Sequence, residues 1–343
     1  MKRRMVLVVA VVAGILVALP GARFACAAAE ANAPADAGPL QVLKTLTVGG
    51  AGGWDYLTVD PTARRLYVSH GTRVMVLDVD QGTPIGEIPD TPRVHGIAIV
   101  PDCNVGFTSN GGEGMLSVFD LKTLKTLRKI KAGQNPDSIT YDPATKKVLA
   151  FNGRSGDVTI VDPAALDKEP VTLLVGGKLE TGVADGAGHV YVNVEDKSEV
   201  VAIDTKQGKV LARWPLAPGE GPTGLAIDRE HRRLYSGCSN QMMIVLDTDQ
   251  GKVLATLPVG SGVDGVAFDP QLGLAMSANG RDGTLTAVRE GPAGTFKVVQ
   301  TLKTINGART ITSDPKGHRV YLPCNVTANG ENQFSVLVVG AKP

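Results

Sequence analysis

The sequence predicts an all-β chain, a seven-bladed β-propeller with four antiparallel strands per blade, and three observations carry that reading. First, two aspartate markers keep one period. An apolar alternation closes at Asp60, Val100, Asp142, Asp185, Asp228, Asp269 and Asp314, often followed by Pro, so seven copies stand 40 to 45 residues apart. A second alternating run closes at Asp78, Asp120, Asp162, Asp204 and Asp247, at intervals of 42 or 43 residues. Second, each unit holds four short runs that alternate apolar and polar residues, the period of a strand, and no segment beyond the N-terminal apolar run sustains helical periodicity. Third, Gln41 to Gly49 matches Lys252 to Gly260 at six of nine positions, yet it stands alone before the first unit, while the last unit ends without a copy. A surplus first strand and a missing last one imply ring closure by the N-terminal strand, Leu40 to Val48. Units of this length and strand content are the pattern of a propeller.

Taken in order, the chain opens with Lys2, Arg3 and Arg4, an apolar run from Met5 to Leu19, Pro20-Gly21 and the small residues Ala25-Cys26-Ala27. That order is expected to be a secretory signal peptide over residues 1–27, too short to be a spanning helix of about 20 residues. Residues 28–39, rich in Ala, Asn, Pro and Gly, read as a flexible leader, and residues 40–343 as one propeller domain. Blade one is expected over Asp55 to Ile88. In blade five the strands are expected at Thr223 to Ile227, Arg233 to Gly237, Met242 to Asp247 and Lys252 to Pro258. Blade seven is expected to supply Ala308 to Thr312, Arg319 to Pro323 and Phe334 to Val339. Closure removes an exposed sheet edge and pairs its backbone groups.

With 43% hydrophobic residues the chain can fill a core, and its 41 Gly against 4% aromatics favour turns and small packing residues. Loss of residues 1–27 removes Lys2, Arg3, Arg4 and Arg23, leaving three more acidic than basic side chains. No basic stripe remains to neutralise a phosphate backbone, so no nucleic-acid partner is expected. Three cysteines remain, Cys103, Cys238 and Cys324, an odd number for an oxidising compartment. Cys238 and Cys324 fall in blades five and seven and Cys103 in a turn on the opposite face, so no intramolecular disulfide is expected.

The second strands carry Tyr67-Val68-Ser69-His70, Phe107-Thr108-Ser109-Asn110, Tyr191-Val192-Asn193-Val194, Tyr235-Ser236-Gly237-Cys238 and Tyr321-Leu322-Pro323-Cys324. These look like degenerate Tyr-Val-Thr-Asn repeats. With the Asp-Pro and Gly-Lys-Val-Leu elements, the chain resembles the YncE-like, YVTN-repeat propeller family of exported bacterial proteins. The resemblance implies a propeller fold and the periplasm as compartment, and it implies little about chemistry, because one propeller scaffold hosts many activities.

Five residues before each first marker, at the start of the inner strand, stand Asp55, His95, Asp137, Glu180, Thr223, Asp264 and Arg309, six of the seven ionisable. A second ring, at the ends of the second strands, is His70, Asn110, Asn152, Val194, Cys238, Ala278 and Cys324, with Asn193, Asn279 and Asn325 beside it. On one channel-mouth face these residues are expected to bind a small molecule or a periplasmic protein. An alternative is a divalent-metal-dependent hydrolase or lactonase. Glu180, Asp264, Asn152 and Asp137 would then supply the oxygen ligands of a hard cation such as calcium, which polarises a carbonyl or activates water. The same residues also suit a structural role, since Asp and Asn accept hydrogen bonds from turn N–H groups. His70, His95 and Cys324, in blades one, two and seven, suggest a softer metal such as copper. No Cys-x-x-Cys-His, His-Glu-x-x-His, Walker loop or Gly-x-Ser-x-Gly is present, so no catalytic signature stands in the sequence. Gly49 to Gly53 lies between two expected strands without a helix N-terminus and reads as a rim loop. Trp54 beside it reads as a packing residue that could instead stack on a ligand.

Overall fold

The computed structural model describes residues 38–50, 52–328 and 330–342. The expected signal peptide and residues 28–37 of the leader lie outside them. Seven four-stranded antiparallel sheets follow one another along the chain. Their inner strands are Trp54–Asp60, Val94–Val100, Pro136–Asp142, Leu179–Ala184, Pro222–Asp228, Val263–Asp269 and Thr312–Asp314. Among the described residues no helix is long and apolar enough to cross a membrane.

Both sequence markers are turn devices. At the end of the inner strand, Asp60 Oδ1 accepts from the backbone N–H groups of Thr62 and Ala63 at 2.9 Å. Asp228 and Asp269 do the same for their own turns, and Asp314 accepts from the Lys316 N–H. At the end of the third strand, Asp78, Asp120 and Asp247 each accept from the N–H groups two and three residues on. Such turns need a short acceptor at one fixed position, so the spacing of the aspartates records the spacing of the turns.

The ring closes as the orphan strand implied. Leu40–Thr47 pairs antiparallel with Glu331–Ala341, with Leu46 opposite Val336, Thr45 opposite Leu337 and Lys44 opposite Val338. The register shifts between Val42 and Lys44, which leaves Leu43 as the bulged residue. Val48 and Gly49 both donate to the Phe334 carbonyl at 2.9 Å. A side-chain clamp from blade six completes the latch: Leu40 N donates to Gln300 Oε1 at 2.8 Å, and Gln300 Nε2 donates to the Leu40 carbonyl at 2.9 Å. Gln300 is buried, and at about 1 kcal/mol net per hydrogen bond the closing contacts sum to several kcal/mol.

Blade seven differs from expectation at both ends. Its inner strand covers Thr312–Asp314 and not Ala308 to Thr312. Ile305 to Ala308 form a turn, with Ala308 N donating to the Ile305 carbonyl, while the Arg309 carbonyl accepts from Gly265 of blade six. The backbone there serves its neighbour before it joins its own sheet. The second and third strands run longer than expected, Arg319–Ala328 and Glu331–Ala341, pairing out to Ala328 opposite Glu331.

The core lies between blades. Seven apolar clusters form, and the leading aromatics of the second-strand tetrads, Tyr67, Phe107, Tyr191, Tyr235 and Tyr321, are all buried in them. Close approach demands glycine at specific points: a Cβ on Gly182 would stand 2.2 Å from the ring of Phe151 in the preceding blade. Cys103, Cys238 and Cys324 are all free thiols, and burial pushes Cys238 up to about 12 and Cys324 up to about 11.

Candidate functional site

Six inner strands carry a β-bulge at one equivalent place, between Trp54 and Leu57, Val94 and Ile97, Pro136 and Ile139, Leu179 and Gly182, Pro222 and Leu225, and Val263 and Gly265. Asp55, His95, Asp137, Glu180, Thr223 and Asp264 sit within those bulges. A bulge breaks the period-two alternation and re-aims a side chain. The ionisable column is therefore released from its sheets to meet residues of other blades. The connection just before each bulge is tied to the turn after the second strand, as in Gly71 N to the Gly53 carbonyl (2.8 Å), Gly111 N to Arg93 (3.0 Å) and Gly153 N to Asn135 (2.9 Å). Both sets of loops thus open on one face.

On that face the column joins side chains across blades. His95 Nδ1 lies 2.5 Å from Asp55 Oδ2. Arg309 Nε donates to Asp264 Oδ2 at 2.7 Å, and Arg309 also donates to the Trp54 carbonyl at 2.8 Å. Lys178 Nζ stands 3.0 Å from Glu180 Oε1 and also binds Glu195. Asn135 Nδ2 donates to Asp137 Oδ2 at 3.4 Å. Thr223 turns to the Val263 carbonyl.

Crowding carboxylates in a half-buried cup favours protonation. Burial, with Asp55 and Asp264 adding to it and His95 opposing, pushes Asp137 up to about 7. Burial, then Asp137 and a hydrogen bond with Glu195, push Glu180 up to about 9, with Lys178 opposing. Asp264 moves up for the same first reason, helped by Asp55 and opposed by Arg309. Burial works against the His95 imidazolium, but the Asp55 hydrogen bond and the charges of Asp137 and Asp55 outweigh it and raise His95.

The floor of the cup is Tyr56. One residue past the ionisable column the other blades carry Gly96, Ser138, Thr181, Gly224, Gly265 and Thr310, all small. Ser138 and Thr310 are spent on the backbone of adjacent blades. Tyr56 alone is large, and its hydroxyl reaches Thr181 Oγ1 of blade four at 3.3 Å. Burial first, then Asp137, Glu180, Asp55 and Asp264, hold its phenol well above the ordinary range. One bulky residue in a column of small ones is the signal that could have found it.

The second ring is built differently. Asn110 donates to Glu113 and Ser117 and accepts from Thr108. Asn152 donates to Asp157 at 2.6 Å and Thr159 at 2.9 Å. Asn279 donates to Thr284 and Thr286, and Asn193 to the Thr223 and Gly224 carbonyls. Asn110, Asn152 and Asn279 tie second strands to third strands within their own blades. His70 stacks on Phe334 with centroids 4.1 Å apart, and Trp54 packs on the same ring at 5.6 Å. Val194, Cys238, Ala278 and Cys324 are buried in the core, whereas Asn325 is exposed.

The expected cation set is not brought together. Asn152 donates its amide N–H groups inside its own blade while its Oδ1 is buried without a partner, Glu180 faces Lys178, and Asp264 faces Arg309. Among the described residues, the groups with ligand atoms within 4.8 Å of one another are Asp55, His95 and Asp137, and, at the opposite face, Asp228, His231 and Glu290. His70, His95 and Cys324 form no such group, since His70 is held against Phe334 and Cys324 lies in the core between blades six and seven.

Beside the cup lies an open cleft of about 670 Å³, lined by His95 and Asp137 together with Arg93, Asn135, Arg154 and Lys178, among others. Arg93, Asn135, Arg154 and Lys178 escape the sequence columns because they belong to loops two residues before the ring or just past the second strand.

No protein-family model matches the chain, and no curated protein matches it in sequence. In shape it is similar to the WD40 repeats of RRP9, at 12% identity and a TM-score of 0.74 over 91% of this chain and 99% of that one. It is similar to U3-55K at 10% identity and a TM-score of 0.72, covering 87% and 98%. It is also similar to the hydrazine synthase of Kuenenia stuttgartiensis at 16% identity and a TM-score of 0.68, covering 80% and 94%. At such identities the likeness shows the propeller fold alone.

Proposed function

We propose that this chain is an exported binding protein of the YncE-like, YVTN-repeat type, a rigid propeller whose channel-mouth face receives a small molecule or a periplasmic protein. The observation that carries this is the bulged column. Six inner strands give up a regular ladder position at the residue that faces the mouth, and the ionisable groups released there meet one another beside Tyr56. Bulges weaken a sheet locally, and their repetition beside a cleft fits recognition better than stability. The compartment rests on the charged, apolar and small-residue order of residues 1–27, and the likeness to WD40 propellers supports a platform role. The acidic balance after export argues against a nucleic-acid partner.

The test is hydrogen exchange of the mature protein with and without small-molecule and protein fractions of a cell extract. Slowed exchange at 91–96, 133–138 and 176–181 is expected. Protection confined to the opposite face, or absent everywhere, contradicts the proposal.

A second reading, a divalent-metal-dependent hydrolase or lactonase on the same face, is favoured by the close approach of Asp55, His95 and Asp137. An imidazole in the set suits zinc or a similar ion better than calcium, which takes oxygen ligands. Such an ion would polarise a substrate carbonyl or a water. Elemental analysis after dialysis, repeated on Asp137→Ala and on Asp264→Ala, decides it: a stoichiometric ion lost from Asp137→Ala alone supports this reading, and no ion with no lactone or ester turnover removes it.

A further inference from the structure

Resting on the mouth-face reading, we infer that the cleft over blades two to four takes a small organic or inorganic oxyanion, a carboxylate or phosphate group clamped between Arg93 and Arg154. Most arginines of the described chain are spoken for. Arg64 binds Asp80 and Asp314, Arg213 binds Glu199, Arg232 binds Asp249, Arg233 binds Glu290, and Arg309 binds Asp264. Arg93 and Arg154 line the cleft and make no side-chain hydrogen bond or ion pair among the described residues. Two arginines lining one cleft keep all their side-chain donors for whatever enters, and the planar fork of each matches the two oxygens of a carboxylate or phosphate.

The backbone adds an independent observation. Two residues before the ionisable column, blades five, six and seven carry glycines in the left-handed region, Gly221 at φ 59°, Gly262 at φ 74° and Gly307 at φ 90°. Blades two and three adopt the same conformation with side chains, Arg93 at φ 50° and Asn135 at φ 52°. A non-glycine residue is strained there, least so for Asn. Glycine would do the structural work, as it does in three sister blades, so the Arg93 side chain has a use that offsets the strain. Around the same cleft Lys178 adds a third cation, although it also serves Glu180 and Glu195. Ser155 Oγ accepts from Gln134 N at 2.9 Å, which leaves its hydroxyl proton to donate. Asp137 and Asp196 on the lining are the acceptors that a bound molecule's hydroxyl or amine groups would meet. The volume admits a small molecule and not merely an ion.

The experiment is titration calorimetry of the full mature chain with citrate and with inorganic phosphate. Glycerol and calcium chloride serve as neutral and cationic counterparts at fixed ionic strength. Saturable binding of at least one anion is expected, weakened tenfold or more in Arg93→Ala/Arg154→Ala and unchanged in Arg128→Ala, an exposed arginine of the blade-two outer strand. Thermal unfolding of the double variant checks that it folds. Failure of both anions to bind, or binding that the double variant leaves intact, overturns the inference. If both anions fail while the extract still protects 91–96 and 133–138, the anion assignment falls and the mouth-face reading stands; if the extract gives no protection either, both fall.

Discussion

Two rings of aspartate occupy opposite ends of the same inner strands, and they obey different rules. At the turn end, Asp60, Asp228, Asp269 and Asp314 are buried and accept hydrogen bonds from the N–H groups of their own turns, to which Asp269 and Asp314 add His318 and Arg64 of the next blade round the ring. At the mouth end, Asp55, Asp137 and Asp264 sit on bulges and find histidine, asparagine or arginine, in part on other blades. A carboxylate that closes its own turn stabilises the blade. Asp137 and Asp264, raised first by burial and then by neighbouring carboxylates, are kept at a cost to the fold.

The largest expected effect tests the turn end. Asp269→Ala leaves two turn N–H groups unpaired at a fully buried position and removes the contact with His318, which should cost about 3–4 kcal/mol in chemical denaturation. A loss below about 1 kcal/mol would break the distinction between the rings. The latch gives a structural control of similar kind: Gln300→Ala strands the buried N–H and C=O of Leu40 and should cost about 2–3 kcal/mol. It should also speed amide exchange across Leu40–Thr47 before the rest of the ring, and uniform exchange would argue against a clamp.

The mouth should behave with the opposite sign. Asp137 stands near 7 against an ordinary value of 3.8. Folding thus favours its protonated form, and that contribution is full below about 4 and lost as pH rises to 7. Asn mimics the protonated acid, so Asp137→Asn should match the parent at pH 4 and exceed it by on the order of 2 kcal/mol at pH 8. Equal stability curves would show that the crowding carries no energy. The smallest effect is Tyr56→Phe, which removes only the 3.3 Å contact with Thr181. It should change stability by less than about 1 kcal/mol, and a larger loss would make the floor a structural keystone.

Much of the architecture could be read from sequence because its punctuation is local. An aspartate that caps its own turn leaves a fixed offset in the chain, and a strand left over at one end and lacking at the other announces the latch. Blade seven's inner strand was harder, since Arg309 gives its carbonyl to blade six and no local pattern encodes that. The ionisable column was legible as a list of residues, whereas its pairings were not: which side chains meet across the axis depends on bulge geometry, which period-two reading passes over. Tyr56 was missed for that reason, and Arg93 and Arg154 because their importance lies in having no partner, a property only the folded neighbourhood defines. Asn152 shows the reverse case, a residue read into the mouth whose amide N–H groups are used inside its own sheet.

The most direct test of the contrast is a pair of urea denaturation curves at pH 8, on Asp137→Ala and Asp269→Ala measured against the parent. The account predicts opposite signs, with Asp137→Ala more stable and Asp269→Ala less stable. Destabilisation of both by similar amounts would contradict it, because the mouth carboxylate would then be one more structural cap.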